Sequence, residues 1–173
     1  MDILRYNDSE QSLKVLEQLS RDYSGGILSN SVTPDSIEVR MRCIDSCINH
    51  GGILIGTRSQ EPVLFLGYTM GQPSKNFKDK ETFYLYLLLI AKQARGSGVF
   101  LDSLSLIEEE VKTRQPSKIA WKSHVGNDYN LGLYRKLGNL RGIAFNAFGT
   151  NSYIFESTPK RLRQLLERCK RKH

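Results

Sequence analysis

The chain has 173 residues and a mass of 19.7 kDa, enough for one domain with a real core. An apolar fraction of 39% and a charged fraction of 25% exclude a disordered chain and fit a globular one. The net charge of +7 points to an anionic partner, whether nucleic acid, acidic lipid or a phosphorylated ligand, without choosing among them.

Ile3 to Tyr6 reads as a short strand. Asp8 to Tyr23 reads as a helix with Leu13, Leu16 and Leu19 on its apolar side, stopped by Ser24-Gly25-Gly26. Thr33-Pro34 is a helix start, a hydroxyl cap followed by proline, and Ile37, Met41, Ile44 and Ile48 form its stripe up to Gly51-Gly52. Ile53–Thr57 and Val63–Tyr68 form a hairpin around Arg58–Pro62, and Gln72–Lys80 is a polar, basic loop. Phe83 to Ala91 is apolar at successive positions, the pattern of a central strand. A glycine turn over Gln93–Gly98 leads into a helix striped by Phe100, Leu104, Ile107 and Val111. A strand over Ile119–Val125, a helix over Asn127–Leu137 stopped by Gly138, and strands near Gly142–Phe148 and Ser152–Glu156 follow. Thr158-Pro159 caps a last helix with Leu162, Leu165, Leu166 and Cys169 on one face. This order predicts an α+β domain with a mixed sheet over residues 1–156, and a basic helix over 157–173 that packs on it or extends from it.

The apolar run Phe83–Ala91 is far too short to span a membrane. The segment Met1–Asp8 has no apolar signal region, and three cysteines are too few for a disulfide scaffold, so a reducing, cytoplasmic setting is expected. Cys43, Cys47 and His50 share a helix, but no second ligand pair accompanies them, so buried cysteines are expected there rather than a metal site. Tyr84 and Tyr86 alternate along the central strand. They either line a cleft or pack beneath a helix.

The segment Leu88–Gly98 carries the most chemistry. A strand runs into a turn with Gly96 and Gly98, and a helix begins there, so outward backbone N–H groups and the helix dipole suit a phosphate, with Lys92 and Arg95 beside them. A Walker A loop is absent, and Leu101 stands where a dinucleotide fingerprint needs its third glycine. Gln93-Ala94-Arg95-Gly96-Ser97-Gly98 has the form Q/R-x-x-G-x-G instead. With Asn127, Tyr134 and Gly138 in an N-x-x-A-x-x-x-Y-x-x-x-G pattern, the chain resembles the GNAT superfamily of acyl-CoA-dependent N-acyltransferases. Asn130 stands at the usual alanine of that second segment, and Asn139 at an aromatic position.

The resemblance implies a GNAT-like domain of about seven strands with splayed central strands. It implies transfer of acetyl from acetyl-CoA to an unidentified primary amine by direct attack. Pyrophosphate would sit on the amides of Gln93, Ala94, Arg95, Gly96, Ser97 and Gly98, with Val99 just beyond. Pantetheine would lie along Leu88, Leu89 and Ile90, whose N–H groups would act as an oxyanion site. Asn127 and Asn130 of the second segment join the cofactor-binding set. Tyr134 is the expected general acid for the leaving thiolate. Glu81, through water, is the candidate base, with His124 the other contender.

Two alternatives stand beside this reading. One is acetylation of a nucleic-acid-linked amine such as aminoacyl-tRNA, suggested by Lys160, Arg161, Arg163, Arg168, Lys170, Arg171 and Lys172 against the single Glu167. No aromatic interleaving accompanies that run, so a solvated face is favoured over a nucleic-acid surface. The other is a non-catalytic CoA-binding module of the same fold, which Asn130 and Asn139 allow.

Overall fold

Local sequence signals set the ends of the elements. A computed structural model describes residues 1–20, 36–95, 98–124, 128–145 and 151–171. Along them run β1 (Asp2–Tyr6), α1 (Ser9–Ser20), α2 (Ile37–His50), β2 (Gly51–Arg58), β3 (Glu61–Met70), β4 (Thr82–Ile90), α3 (Val99–Arg114), β5 (Lys118–His124), α4 (Asp128–Leu137), β6 (Asn139–Phe145), β7 (Asn151–Ser157) and α5 (Pro159–Lys170). The element order is the one expected from the sequence. The Ser24–Gly26 stop and the Thr33-Pro34 start lie outside the described residues. The described part of α2 begins instead on Ser36, whose hydroxyl accepts from the Val39 amide at 3.3 Å. The hairpin between β2 and β3 is tighter than expected: Ser59 and Gln60, with φ of 51° and 68°, make the whole turn.

The sheet order is β1-β2-β3-β4-β5-β7-β6, antiparallel except for the parallel pair β4–β5. Apolar residues cover both faces of its centre. Ile53 and Ile55 join a cluster with Leu16, Cys47 and Phe65 beneath α1 and α2. Leu54, between them in sequence, joins Tyr68, Leu104, Trp121 and Phe155 beneath α3 and α5. The α2 stripe sits one position round from the expected one: Ile37 is 61% exposed, whereas Cys43 and Cys47 are buried beside Ile44. Among the described residues, no helix is long and apolar enough to cross a membrane.

The basic helix α5 packs through Leu162 and Leu166. Part of its charge is structural. The Arg161 guanidinium donates to Arg135 O at 3.0 Å, to Lys136 O and Gly138 O at 3.4 Å, and to Asn139 Oδ1 at 2.5 Å. It therefore caps the C-terminal carbonyls of α4, where a cation also complements the helix dipole. Arg163 pairs with Glu108 at 3.2 Å. Arg161→Ala is expected to cost ~1–2 kcal/mol in urea unfolding, and a change below ~0.3 kcal/mol would remove the capping role.

The loop from β3 to β4 is ordered by Asp79. Its carboxylate accepts from the Gln72 amide (2.8 Å), the Gln72 side-chain amide (3.0 Å) and the Thr82 hydroxyl (3.0 Å), with Lys75 at 3.4 Å. Burial pushes this carboxyl's pKa up, but the hydrogen bonds from Gln72 and Thr82 outweigh it and bring it from 3.8 down to about 2. A carboxyl depressed in the folded state stabilises above its ordinary pKa and loses that contribution as pH falls through the folded value. Stability is expected to drop between about pH 5 and pH 2, by on the order of 1–2 kcal/mol from this group. Asp79→Asn should flatten that part of the stability–pH curve; an unchanged curve would contradict the assignment.

Candidate active site

The site begins with a difference between the two edges of β4. Toward β3 the strand pairs along its length, from Met70↔Phe83 to Leu64↔Ile90. Toward β5 it pairs only from Thr82↔Lys118 to Leu85↔Trp121. Beyond that point β4 runs on to Ile90 and β5 to His124 without pairing to each other. The two strands form a V with its apex at Leu85 and Trp121.

A bulge sits beside the apex. The β3 partners step from Gly67↔Leu87 to Tyr68↔Leu85, leaving Tyr86 as the extra residue. Tyr86 and Leu87 consequently both pack on the α1/α2 side, and Leu88 returns to the α3 side with Leu85. The expected alternation of Tyr84 and Tyr86 resolves into packing beneath α2. Their rings meet edge-on at 5.6 Å, and burial raises both phenols above their ordinary pKa. Burial likewise raises the Cys47 thiol, so it is a protonated core group rather than a nucleophile.

Tyr134 comes to the apex from α4. Its ring meets Trp121 edge-on at 6.0 Å and Phe155 at 5.7 Å, contacts that fix its orientation. Space for α4 to turn into β6 depends on Gly138. A Cβ there would lie 2.5 Å from Trp121 and 2.6 Å from the Glu156 carbonyl, so only glycine fits. Trp121 is buried, and among the described residues its indole N–H has no hydrogen-bond partner. Leu85, Leu88, Phe100, Trp121 and Tyr134 line one small apolar cavity at this apex.

The end of β4 leads to the glycine turn. Lys92–Ala94 form a single 3-10 turn in which Ala94 is buried. The Ala94 amide donates to Ala91 O at 2.9 Å and the Arg95 amide to Lys92 O at 3.2 Å. Both amides thus donate within the chain. The Arg95 guanidinium folds back onto Ile90 O at 3.4 Å. Gly96 and Ser97 lie outside the described residues. Gly98 takes φ +85° at the α3 N-cap, in the left-handed region that favours glycine. The first described helical bond of α3 runs from Asp102 N to Gly98 O. The amides of Val99, Phe100 and Leu101 precede it, where a helix presents donors outward. The Phe100 and Leu101 amides were not singled out from the sequence, although the helix start there was legible.

The other expected residues are scattered. Leu89 is buried in the α1/α2 cluster, Ile90 is half-buried, and the Val99 side chain is core, leaving Leu88 as the side chain that faces the apex cavity. Asn127 lies outside the described residues, and Asn130 falls in the first turn of α4. Glu81 is exposed at the closed end of the V, where its carbonyl accepts the Ser117 and Lys118 amides at 2.8 and 3.3 Å. Leu85 lies four positions further along the chain, about 13 Å away. The structure does not bring Glu81 to Tyr134. His124 ends β5 opposite Ser152.

No protein-family model matches the chain, and no curated protein matches it by sequence. Solved structures do match it in shape. A protein from Streptococcus mutans aligns with a TM-score of 0.69 at 17% identity, over 92% of this chain and 99% of that one. A protein described as a GNAT-family acetyltransferase from Desulfovibrio desulfuricans aligns at 0.66 and 15%, over 91% and 98%. A ribosomal-protein-alanine N-acetyltransferase from Brucella melitensis aligns at 0.65 and 18%, over 91% and 99%. With a seven-stranded mixed sheet split at β4 and β5, the chain has the GNAT N-acetyltransferase fold.

Proposed function

We propose that the protein transfers acetyl from acetyl-CoA to a primary amine by direct attack. One observation carries this reading: the V between β4 and β5 opens beside the N-terminus of α3, with Tyr134 at its apex. The residues fit such a donor. Beyond Leu85 the edge of β4 that faces β5 no longer pairs with it, and a pantetheine amide chain would run along this edge past Leu88, Leu89 and Ile90. Gly98 has open space where a side chain would stand, and the amides of Val99, Phe100 and Leu101 follow it. Among the described residues the buried indole N–H of Trp121 has no acceptor, and a carbonyl seated at the apex would supply one.

When bound, the donor supplies an activated acyl thioester. The chain does the rest. Amides at the α3 N-terminus, with Gly96, Ser97 and Gln93 of the motif, hold phosphate charge. Amides of the splayed strand donate to negative charge developing on the acyl oxygen. Tyr134 gives its phenolic proton to the leaving sulfur. Asn127 and Asn130 orient the second segment against the donor. The amine must lose a proton, since an alkylamine has a pKa of about 10.4. Glu81 is too far for direct contact and serves only through a chain of water; His124 at the end of β5 is the other acceptor of that proton.

The RNA-directed reading draws on α5, yet Arg161 and Arg163 of that helix are engaged in the fold. The test is an assay of free CoA release with acetyl-CoA and a broad panel of amines. Release with at least one acceptor supports the reading. Binding of CoA with no transfer to any amine would leave a non-catalytic CoA-binding module.

A further inference from the structure

The apex cavity reaches past the splay into the core. Beyond Leu88 and Tyr134 its walls are Leu104 and Ile107 of α3 and Leu162 of α5. These walls are almost wholly apolar, and the hydroxyl of Ser157 at its edge is turned to Leu137 O at 2.6 Å. The cavity measures about 30 Å³. That holds about two to three groups the size of a water or a methylene. An empty apolar space beside a core otherwise well packed costs stability, and apolar carbons fill it favourably.

We infer that the site, while accepting acetyl, prefers a longer acyl group, a short straight chain of three to four carbons whose far end enters this cavity. The inference rests on the acyl-CoA reading above. It follows from the join between the two features: Leu85, Leu88 and Tyr134 border both the apex, where the acyl carbonyl belongs, and the cavity. A two-carbon acyl group ends at the apex and leaves the cavity empty. Each methylene moved from water into the cavity tightens binding about four-fold.

Calorimetric titration of the full chain with acetyl-CoA, propionyl-CoA and butyryl-CoA tests it. Butyryl-CoA is expected to bind about fifteen-fold more tightly than acetyl-CoA, with propionyl-CoA between at about four-fold. Ile107→Phe fills the cavity and should abolish that preference while acetyl-CoA affinity stays within about two-fold. If a thermal melt shows that variant unfolded, Leu162→Phe fills the same space from α5. Butyryl-CoA binding no tighter than acetyl-CoA in the unaltered chain overturns the inference and leaves the acyl-CoA reading standing. A preference that survives in the filled variant also overturns it. Binding of none of the three overturns both.

Discussion

Tyr134→Phe is expected to lower kcat about 100-fold while KM for acetyl-CoA changes less than about three-fold. The ring is already held by edge-on contacts with Trp121 and Phe155, and phenylalanine keeps both. Only the hydroxyl is lost. A positioned proton donor contributes about 10²–10⁴-fold, so the lower part of that range is the expected loss. Ground-state affinity for the donor depends on backbone amides of β4 and α3, which the substitution does not touch. The melting temperature should move by less than about 2 °C, since the packing survives. Steady-state kinetics beside a thermal melt check all three. An unchanged kcat would remove Tyr134 from the chemistry; a large fall in melting temperature would make it a core residue instead.

The second large effect is on stability. Glu110 sits on α3, 7% exposed, within a core of apolar residues. Its carboxylate accepts from the Tyr68 hydroxyl of β3 and from the Arg5 guanidinium of β1, tying α3 to three strands' depth of sheet. Burial and this carboxylate together raise the Tyr68 phenol above its ordinary pKa, so it stays a donor. Glu110→Ala removes the acceptor of a fully buried hydroxyl and of the Arg5 guanidinium beside it. The expected cost is about 3 kcal/mol, or about 6–12 °C in melting temperature for a chain of this length. Tyr68→Phe combined with Glu110→Leu should regain most of that loss, because the buried hydroxyl goes with its acceptor and Arg5, half-exposed, is left to water. Urea unfolding of Tyr68→Phe, Glu110→Leu and the double variant measures the coupling. Additive losses would show that the carboxylate and the phenol act independently.

These two residues also show where sequence reading succeeds and stops. The element order was legible because apolar spacing changes from two to three or four at each boundary, and because glycine pairs and Thr158-Pro159 mark the ends. Tyr134 stood out through its spacing from Asn127 and Gly138, whereas its packing against Trp121 and Phe155 was not legible. Glu110 was not: it lies one position before Val111 on the α3 stripe, and only the Tyr68 hydroxyl across the core makes a carboxylate fit there. The bulge at Tyr86 was equally hidden, since Leu87, Leu88 and Leu89 are alike in composition and only pairing with β3 shows which faces which way. The turn after β4 was legible as glycine, strand and helix start. Which amides remain available was not, because the Lys92–Ala94 turn consumes those of Ala94 and Arg95. The charge of α5 read as a solvated face, yet Arg161 is spent capping α4, a tertiary contact that no local pattern encodes.

The central claim is that the V between β4 and β5, with the N-terminus of α3, holds an acyl-CoA. Calorimetric titration of the full chain with acetyl-CoA tests it most directly. Saturable one-to-one binding is expected, with Kd between about 1 µM and 1 mM, the ordinary range for an enzyme's substrate. Absence of saturable heat throughout that range would contradict it.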